Sequence, residues 1–349
     1  MKRYLTIGNR GGWTVKSCCM GLLSLLLCMA PVCFFTSCSS IDEDMSDCGV
    51  EFRIDYELRL TTDVKTELQT QLDAQTDAKV SEALLNYLQG IFTDRAHDVN
   101  LSFYDTQGDM PNLHQEQRIM DANQASYTIY LPIHEYAHQA VANLENNAQV
   151  GLQGDKNGNT SHLTTAIGAA SDTIDSQTTA IYTARTDMRV LDGVDQTFDV
   201  GLYMVNSAAA LIIDPRGIEF TDIKVFTTGF ATGFNVNDST FTFSERDPIV
   251  RTQQVNTGTE QLCFCSVNFP SRDQAEGDGA LWEYHVYVTL PDGSVTETIL
   301  RMQEPLGAGD LKVVQCLLCP DGSVTTSDMT VGVSVTLEWK SGGNHDVNI

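Results

Sequence analysis

The feature that most constrains the fold is a strict alternation of apolar and charged residues that begins at residue 50. The apolar positions are Val50, Phe52, Ile54, Tyr56, Leu58 and Leu60. Successive side chains of a β-strand point to opposite faces, so this pattern predicts a strand with one buried face. A second alternating run, residues 331–339, lies near the other end of the chain. We therefore expect β-structure at both ends of the folded region.

Turn and helix signals organise the rest of the chain. The stretch Pro-Asp-Gly-Ser-Val-Thr occurs at 291–296 and again at 320–325, and Pro-Asp-Gly is typical of hairpin turns. Helical spacing is confined to about 64–92, where the expected buried stripe is Val80, Leu84, Leu88 and Ile91. Residues 150–180 are polar and rich in Gly, Ser and Thr, and we predict a long loop there.

Alternation returns at Phe198, which places a domain boundary near residue 195. We therefore predict a mainly β protein with two β-sandwich domains, 49–195 and 196–349, and a helical insertion in the N-terminal domain.

The first 37 residues have the pattern of an export signal. A basic segment precedes an apolar run over residues 20–35, which ends in Phe-Thr-Ser before Cys38. This ending is similar to a bacterial lipobox, and it predicts cleavage before Cys38 and lipidation of its thiol. An ordinary signal peptide followed by a chance cysteine is the alternative. Residues 38–48 would form an acidic tether, either an export tag for surface exposure or a solvated linker.

Charge excludes one large class of partners. The chain has a formal net charge of −25, and removal of the basic leader would make it more acidic. Such a field repels phosphate backbones, so we expect no binding of nucleic acid. It also disfavours attraction to anionic lipid, so acyl chains would have to provide the membrane attachment.

The sequence His134-Glu135-Tyr-Ala-His138 matches the H-E-x-x-H pattern of zinc metalloproteases. That chemistry needs both histidines one turn apart on a helix and a third ligand. Pro132 lies two residues before the motif, a strand-like alternation precedes it, and the only nearby candidate ligand is His162. We therefore predict a surface turn and strand whose two histidines are dispensable for folding, and a protease only as a remote alternative.

Ten cysteines do not define a disulfide framework. Four would leave with the leader and Cys38 is the lipid site, so an odd number remains: Cys48, Cys263, Cys265, Cys316 and Cys319. The pairs 263/265 and 316/319 are read as buried free thiols, with a metal site or a disulfide as the alternative. The sequence lacks a G-x-S-x-G motif, a P-loop and a G-x-G-x-x-G motif, and we expect no enzyme activity, no metal and no cofactor.

Several segments together resemble the FimB/Mfa-type fimbrial anchor lipoproteins of type V pili. They are the entry FTSCSSIDEDMSDCGVEFRIDYEL, then VNLSFYDTQGD, YTIYLPIHEYAHQAVANLENN, TFDVGLYMVNSAAALIID and the ending VSVTLEW. The resemblance covers nearly all of the chain after the leader. His134 and Ala142 depart from the family pattern, in which Gly and Trp are usual, and the cysteine pairs have no counterpart in it.

The resemblance implies two transthyretin-like β-sandwich domains and a non-enzymatic role at the base of a pilus. Lipid on Cys38 would hold the protein at the outer membrane, exposed at the cell surface, and the folded domains would contact fimbrial stalk subunits by β-strand complementation. An anchor of this kind keeps its first strand, here residues 50–60, and so limits the length of the fibre. A surface lipoprotein that binds a glycan or another ligand is the alternative. It would need an exposed aromatic platform, and with only Trp282 and Trp339 after the leader the sequence shows none.

Overall fold

The computed structural model describes residues 50–59, 77–92, 98–108, 114–119, 126–145, 147–165, 173–192, 194–245, 247–274, 279–329 and 331–340. All of them belong to one compact unit, Asp44–Ile349. The predicted leader 1–37, the tether 38–48 with Cys38 and Cys48, and Leu60 lie outside the described residues.

The described residues form one helix and many strands, which confirms the prediction of a mainly β protein. The elements of the first half are β1 (Val50–Arg59), α1 (Ala78–Ile91), β2 (Asp98–Asp105), β3 (His114–Ile119), β4 (Ser126–Leu131), β5 (Glu135–Ala142), β6 (Val150–Asp155), β7 (Thr160–Thr165), β8 (Thr173–Asp175), β9 (Tyr182–Arg189) and β10 (Thr197–Met204). The elements of the second half are β11 (Ser207–Asp214), β12 (Asp222–Thr228), β13 (Gly233–Asn235), β14 (Thr240–Thr242), β15 (Ile249–Arg251), β16 (Gln253–Val255), β17 (Leu262–Asn268), β18 (Trp282–Thr289), β19 (Ser294–Met302), β20 (Leu311–Leu318), β21 (Val324–Thr326) and β22 (Val331–Lys340).

The strands pair into four sheets. A seven-stranded sheet has the order β3-β2-β5-β9-β10-β1-β4, and a five-stranded sheet has the order β16-β17-β11-β20-β21. A six-stranded sheet follows the order β22-β19-β18-β12-β15-β8, and a four-stranded sheet the order β14-β13-β7-β6. Both Pro-Asp-Gly stretches form the predicted hairpin turns, β18 to β19 and β20 to β21. Gly293 and Gly322 have positive φ values in these turns, which explains the need for glycine.

The five-stranded sheet is covered on both faces. Its central strand β11 reads Ser-Ala-Ala-Ala-Leu-Ile-Ile-Asp, and a strand buried on both sides requires such a continuous apolar run. One face of β11 packs into a core shared with α1 and the seven-stranded sheet. The other face packs against the six-stranded sheet. The four-stranded sheet contributes to a third core, on the opposite face of the seven-stranded sheet.

Helix α1 contributes the apolar stripe that its sequence predicts. Val80, Leu84, Leu88 and Ile91 are its buried residues. The side chain of Asp77 caps the first turn by accepting a hydrogen bond from the amide of Lys79 at 2.7 Å. The predicted helical insertion is therefore present, and its described part begins at Ala78. In the part of the chain that the structure describes, no helix has the length and apolar character needed to cross a bilayer.

The prediction of a long loop over 150–180 is wrong. Strands β6 and β7 form a hairpin there, and β7 also pairs with β13. Leu152 and Leu163 are opposite each other in this hairpin and pack in the third core. Phe234 and Phe269, which belong to the same core, are distant in sequence. The polar composition of residues 150–180 therefore gave no indication of these strands.

The domain boundary near residue 195 remains a prediction. Strand β10, on its C-terminal side, lies in the seven-stranded sheet, and β11 begins the five-stranded sheet. Between them the fully buried Asn206 accepts a hydrogen bond from the amide of Ile181 at 2.5 Å and donates one to Gln177. Its carbonyl accepts from the amide of Gly309 at 2.7 Å. This side chain thus fixes the crossover between the two sheets.

Candidate functional site

The predicted first strand is present, and its backbone is paired on both sides. Strand β1 runs parallel to β10, from Arg53 opposite Thr197 to Arg59 opposite Tyr203. It runs antiparallel to β4, from Val50 opposite Leu131 to Asp55 opposite Ser126. Strand β1 is therefore an interior strand of the seven-stranded sheet.

The backbone register of β1 sets four of its positions opposite buried residues of the neighbouring strands. Positions 56 and 58 are opposite Val200 and Leu202, and positions 50 and 52 are opposite Leu131 and Ile129. All four of these partners are buried. All four partners belong to the core that also contains α1.

The H-E-x-x-H segment forms a turn and a strand, as the sequence predicts. Strand β4 ends at Leu131, residues 132–134 turn, and β5 begins at Glu135. Glu135 and His138 are three residues apart in an extended strand, so they point to opposite faces. Glu135 is largely exposed and lies 3.6 Å from Arg189. This geometry excludes the helical metalloprotease site.

The expectation that both histidines are surface residues is wrong. His138 is fully buried, and its Nδ1 donates a hydrogen bond to the backbone oxygen of Ser102 at 3.1 Å. Burial lowers the pKa of His138 to about 4 despite this hydrogen bond, so the ring is neutral at pH 7. The side chain of His134 is only 10% exposed, and its Nδ1 lies 3.5 Å from Asp105 Oδ2. Both histidines are largely buried by the packing of the seven-stranded sheet, which the local sequence does not reveal.

Cys263 and Cys265 lie on one face of the five-stranded sheet and Cys316 lies on the other. Cys263 and Cys265 pack in the core that contains α1, whereas Cys316 packs in the core beneath the six-stranded sheet. All are free thiols, and so is the less buried Cys319. Burial raises the pKa values of Cys263 and Cys316 to about 12, so both thiols stay protonated. The sheet between them prevents a shared four-thiolate zinc site.

None of the described residues form a group of three or more His, Cys, Asp or Glu side chains able to bind a metal ion.

Strand β22 forms one edge of the six-stranded sheet. It pairs with β19 along one side, from Ser294 opposite Lys340 to Met302 opposite Val331. Val333 and Val335 are each 42% exposed on the face that Val331 shares with the core. Within the described strands, the other side of β22 carries no partner, which leaves main-chain donors and acceptors available.

The outer face of the same sheet carries a charged cluster that the sequence analysis missed. His285 lies between two carboxylates, with Nε2 3.3 Å from Glu283 Oε2 and Nδ1 3.3 Å from Glu297 Oε1. Arg301 Nε lies 3.1 Å from Glu283, and the hydroxyl of Tyr287 donates to Glu297 at 2.8 Å. The hairpin turn at 291–293 fixes the register of β18 against β19. Aligning the two strands on this turn would have predicted the cluster from the sequence.

No protein-family model and no curated protein matches the sequence. Similar solved structures exist at low identity. A candidate adhesin from Bacteroides thetaiotaomicron has 11% identity and a TM-score of 0.48, with 83% of this chain and 97% of that chain covered. A candidate polysaccharide-binding protein from the same organism has 9% identity and a TM-score of 0.47, with 86% and 99% covered. The fimbrial anchor protein Mfa2 from Porphyromonas gingivalis has 12% identity and a TM-score of 0.45, with 83% and 99% covered.

Proposed function

We propose that this protein is a non-enzymatic outer-membrane lipoprotein that anchors type V fimbriae at the cell surface and limits their length. Its partners are fimbrial stalk subunits, which it contacts by β-strand complementation, and lipid on Cys38 attaches it to the membrane. The proposal rests first on the sequence resemblance described above.

The observation that carries the proposal is the double pairing of β1. A chain that keeps its first strand between β10 and β4 has no open groove at that position, so a further subunit cannot insert a strand there. Such a subunit ends a polymer, which is the property an anchor requires.

An anchor also needs one surface that binds a stalk subunit. The edge of β22 meets the physical requirements, because its unpaired side offers backbone hydrogen bonds and Val333 and Val335 offer apolar surface. We propose this edge as the contact with the lowest stalk subunit.

The test is an edge-blocking substitution in the bacterium that produces the protein. A lysine at an edge position disfavours strand addition, because pairing would place its charge in an apolar interface. We expect Val335→Lys to abolish co-purification of fimbrial subunits and to release fibres from the cells. Val194→Lys, at an exposed valine of the loop before β10, is the matched control and should leave both properties unchanged. Thermal melts of the two purified variants must equal that of the parent.

Co-purification that survives Val335→Lys would exclude β22 as the contact. Fibres of normal length and attachment in a strain that lacks the whole protein would contradict the anchoring role itself.

A further inference from the structure

A cleft of about 600 Å³ opens where strands β9 and β10 separate. These strands pair only at Thr183 with Tyr203 and at Tyr182 with Met204. Beyond these pairs β9 follows β5 and β10 follows β1, so the two strands diverge. The hairpin formed by β13 and β14 supplies the facing wall. The volume lies within the range of about 300–1,000 Å³ that is usual for small-molecule sites.

Aromatic and aliphatic side chains form one side of the cleft. Phe234 and Phe241 lie with ring centroids 4.7 Å apart, and Phe234 is anchored in the third core. Phe241 is only partly buried, so part of its ring borders the cleft. Tyr203, at the rim, is 45% exposed. Gly201 lines the cleft two positions away on β10 and adds no side chain that would fill it.

The polar side of the cleft carries no unpaired charge. Arg185 is the charged residue among its lining residues, and its Nη1 lies 2.7 Å from Asp187 Oδ2. Arg185 Nε also donates to Asn237 Oδ1 at 3.4 Å. The carboxylate of Asp187 offsets part of the charge of the guanidinium, which favours a neutral ligand over an anionic one. Thr183, Thr186 and Ser239 add hydroxyl groups that can donate and accept hydrogen bonds.

The facing wall is held in place before any ligand arrives. Asp238 Oδ1 accepts hydrogen bonds from the amide and the hydroxyl of Thr240, at 3.1 and 2.5 Å. Asn235 Oδ1 accepts from the amide of Asn237 at 2.9 Å. These bonds fix the turn between β13 and β14. A preformed wall reduces the ordering cost of binding.

We propose that this cleft binds the end of a neutral saccharide. A pyranose ring has a face of C–H groups, which suits the exposed rings of Tyr203 and Phe241. Its rim of hydroxyls both donates and accepts, which suits Arg185 and the hydroxyl groups of the neighbouring threonines and Ser239. The cleft lies between strands β9 and β10 on one side and the β13–β14 hairpin on the other, and its volume accommodates the last rings of an oligosaccharide. This site does not depend on the anchoring role.

The test uses the full-length protein and neutral trisaccharides of glucose, mannose, xylose and N-acetylglucosamine as probes. Binding is measured by saturation-transfer NMR and by titration. We expect at least one trisaccharide to bind, and Tyr203→Ala to weaken its binding by about tenfold, because it removes an aromatic contact. Arg185→Met, which keeps an unbranched apolar stem and removes the donors, should also weaken binding, while Tyr203→Phe should bind like the parent.

Leu191→Ala is the matched control, because Leu191 is an exposed apolar residue that does not line the cleft. Thermal melts identify any variant that fails to fold. If Tyr203→Ala does not fold, the comparison of Arg185→Met with Tyr203→Phe decides whether the cleft is the binding site. The proposal is overturned if none of the trisaccharides binds, if binding survives both Tyr203→Ala and Arg185→Met, or if Leu191→Ala weakens it equally.

Discussion

The imidazole of His138 stacks on the ring of Phe103 in the neighbouring strand, with ring centroids 4.3 Å apart and planes inclined by 16°. The two residues are opposite each other in the pairing of β2 with β5. One histidine of the H-E-x-x-H segment is therefore a core residue. Because its buried ring resists protonation, we expect the stability of the protein to depend on pH.

Stability should fall as the pH drops below about 6.5, because the unfolded chain then protonates at His138 and the folded chain does not. The pKa of His138 is about 4 in the fold, so its contribution is complete above pH 6.5 and is lost progressively down to pH 4. The loss amounts to roughly 3 kcal/mol. Chemical denaturation of the parent and of His138→Leu at several pH values measures it. The slope should flatten in His138→Leu and persist in His162→Leu, a partly buried control.

His138→Ala should destabilise the protein by roughly 2–4 kcal/mol. The substitution leaves a cavity beside Phe103 and removes the hydrogen-bond donor to the backbone oxygen of Ser102. Glu135→Ala, in the same motif and largely exposed, should change the free energy of unfolding by less than about 0.5 kcal/mol. Denaturation curves and a zinc assay on all three proteins check this. Stoichiometric zinc in the parent that is lost in His138→Ala and retained in Glu135→Ala would restore the metalloprotease hypothesis, because the histidines of such a motif bind the metal and the glutamate acts as general base.

The cluster around His285 should have the opposite pH dependence to His138, with stability lost as the pH rises. Burial disfavours the charged ring, but hydrogen bonds to Glu283 and Glu297 outweigh it and raise the pKa of His285. Its stabilisation is therefore fully present below the unfolded pKa of about 6.5 and is lost as the pH rises through the higher folded value. Glu297→Gln should remove part of this effect, since it leaves Glu283, Arg301 and Tyr287 in place. NMR titration of His285 in both proteins gives the answer; an unchanged midpoint would contradict the proposed coupling.

Cys38→Ala should release the protein from the membrane fraction into the soluble fraction. The reason lies in the sequence alone, where Cys38 follows the apolar run and a lipobox-like ending. Cell fractionation with metabolic labelling by a fatty acid measures both attachment and acylation. Cys48→Ala is the matched control, at the far end of the acidic tether, and should remain labelled. A Cys38→Ala protein that is still labelled and membrane-bound would exclude this lipid site.

Deletion of residues 50–60 should open a groove between β10 and β4 and change how the protein assembles. The deletion removes the partner of both strands and exposes Val200, Leu202, Ile129 and Leu131, each worth about 1.5–3 kcal/mol when buried. If the closed first strand ends the fibre, the truncated protein should accept a strand from another subunit and produce longer or more easily shed fibres. Electron microscopy and SDS-resistant complexes on gels detect this.

Simple degradation of the truncated protein, with fibres like those of a strain that lacks the gene, would show that β1 is structural only. A variant that keeps β1 but lacks residues 41–46 of the tether controls for the shortening of the chain.

Local periodicity by itself determined which segments form regular structure. The alternation over 50–60 and 331–339 gave strands β1 and β22, and the four-residue stripe gave the buried face of α1. The two Pro-Asp-Gly stretches gave the hairpins between β18 and β19 and between β20 and β21. These features depend only on neighbouring residues, because the periods of strands and helices and the φ values of turns are local properties.

Only the tertiary structure decided what covers each face. The polar hairpin of β6 and β7 is stabilised by β13, about seventy positions further along the chain. His138 is buried against Phe103, which packs in the core that also contains α1. Cys263 and Cys316 are separated by the sheet that carries both, and the cleft beside Tyr203 exists because β9 and β10 diverge after two pairs. A sequence pattern states that a face is apolar or polar, but pairing between distant strands determines its partner, and that partner sets burial, pKa and access to ligands.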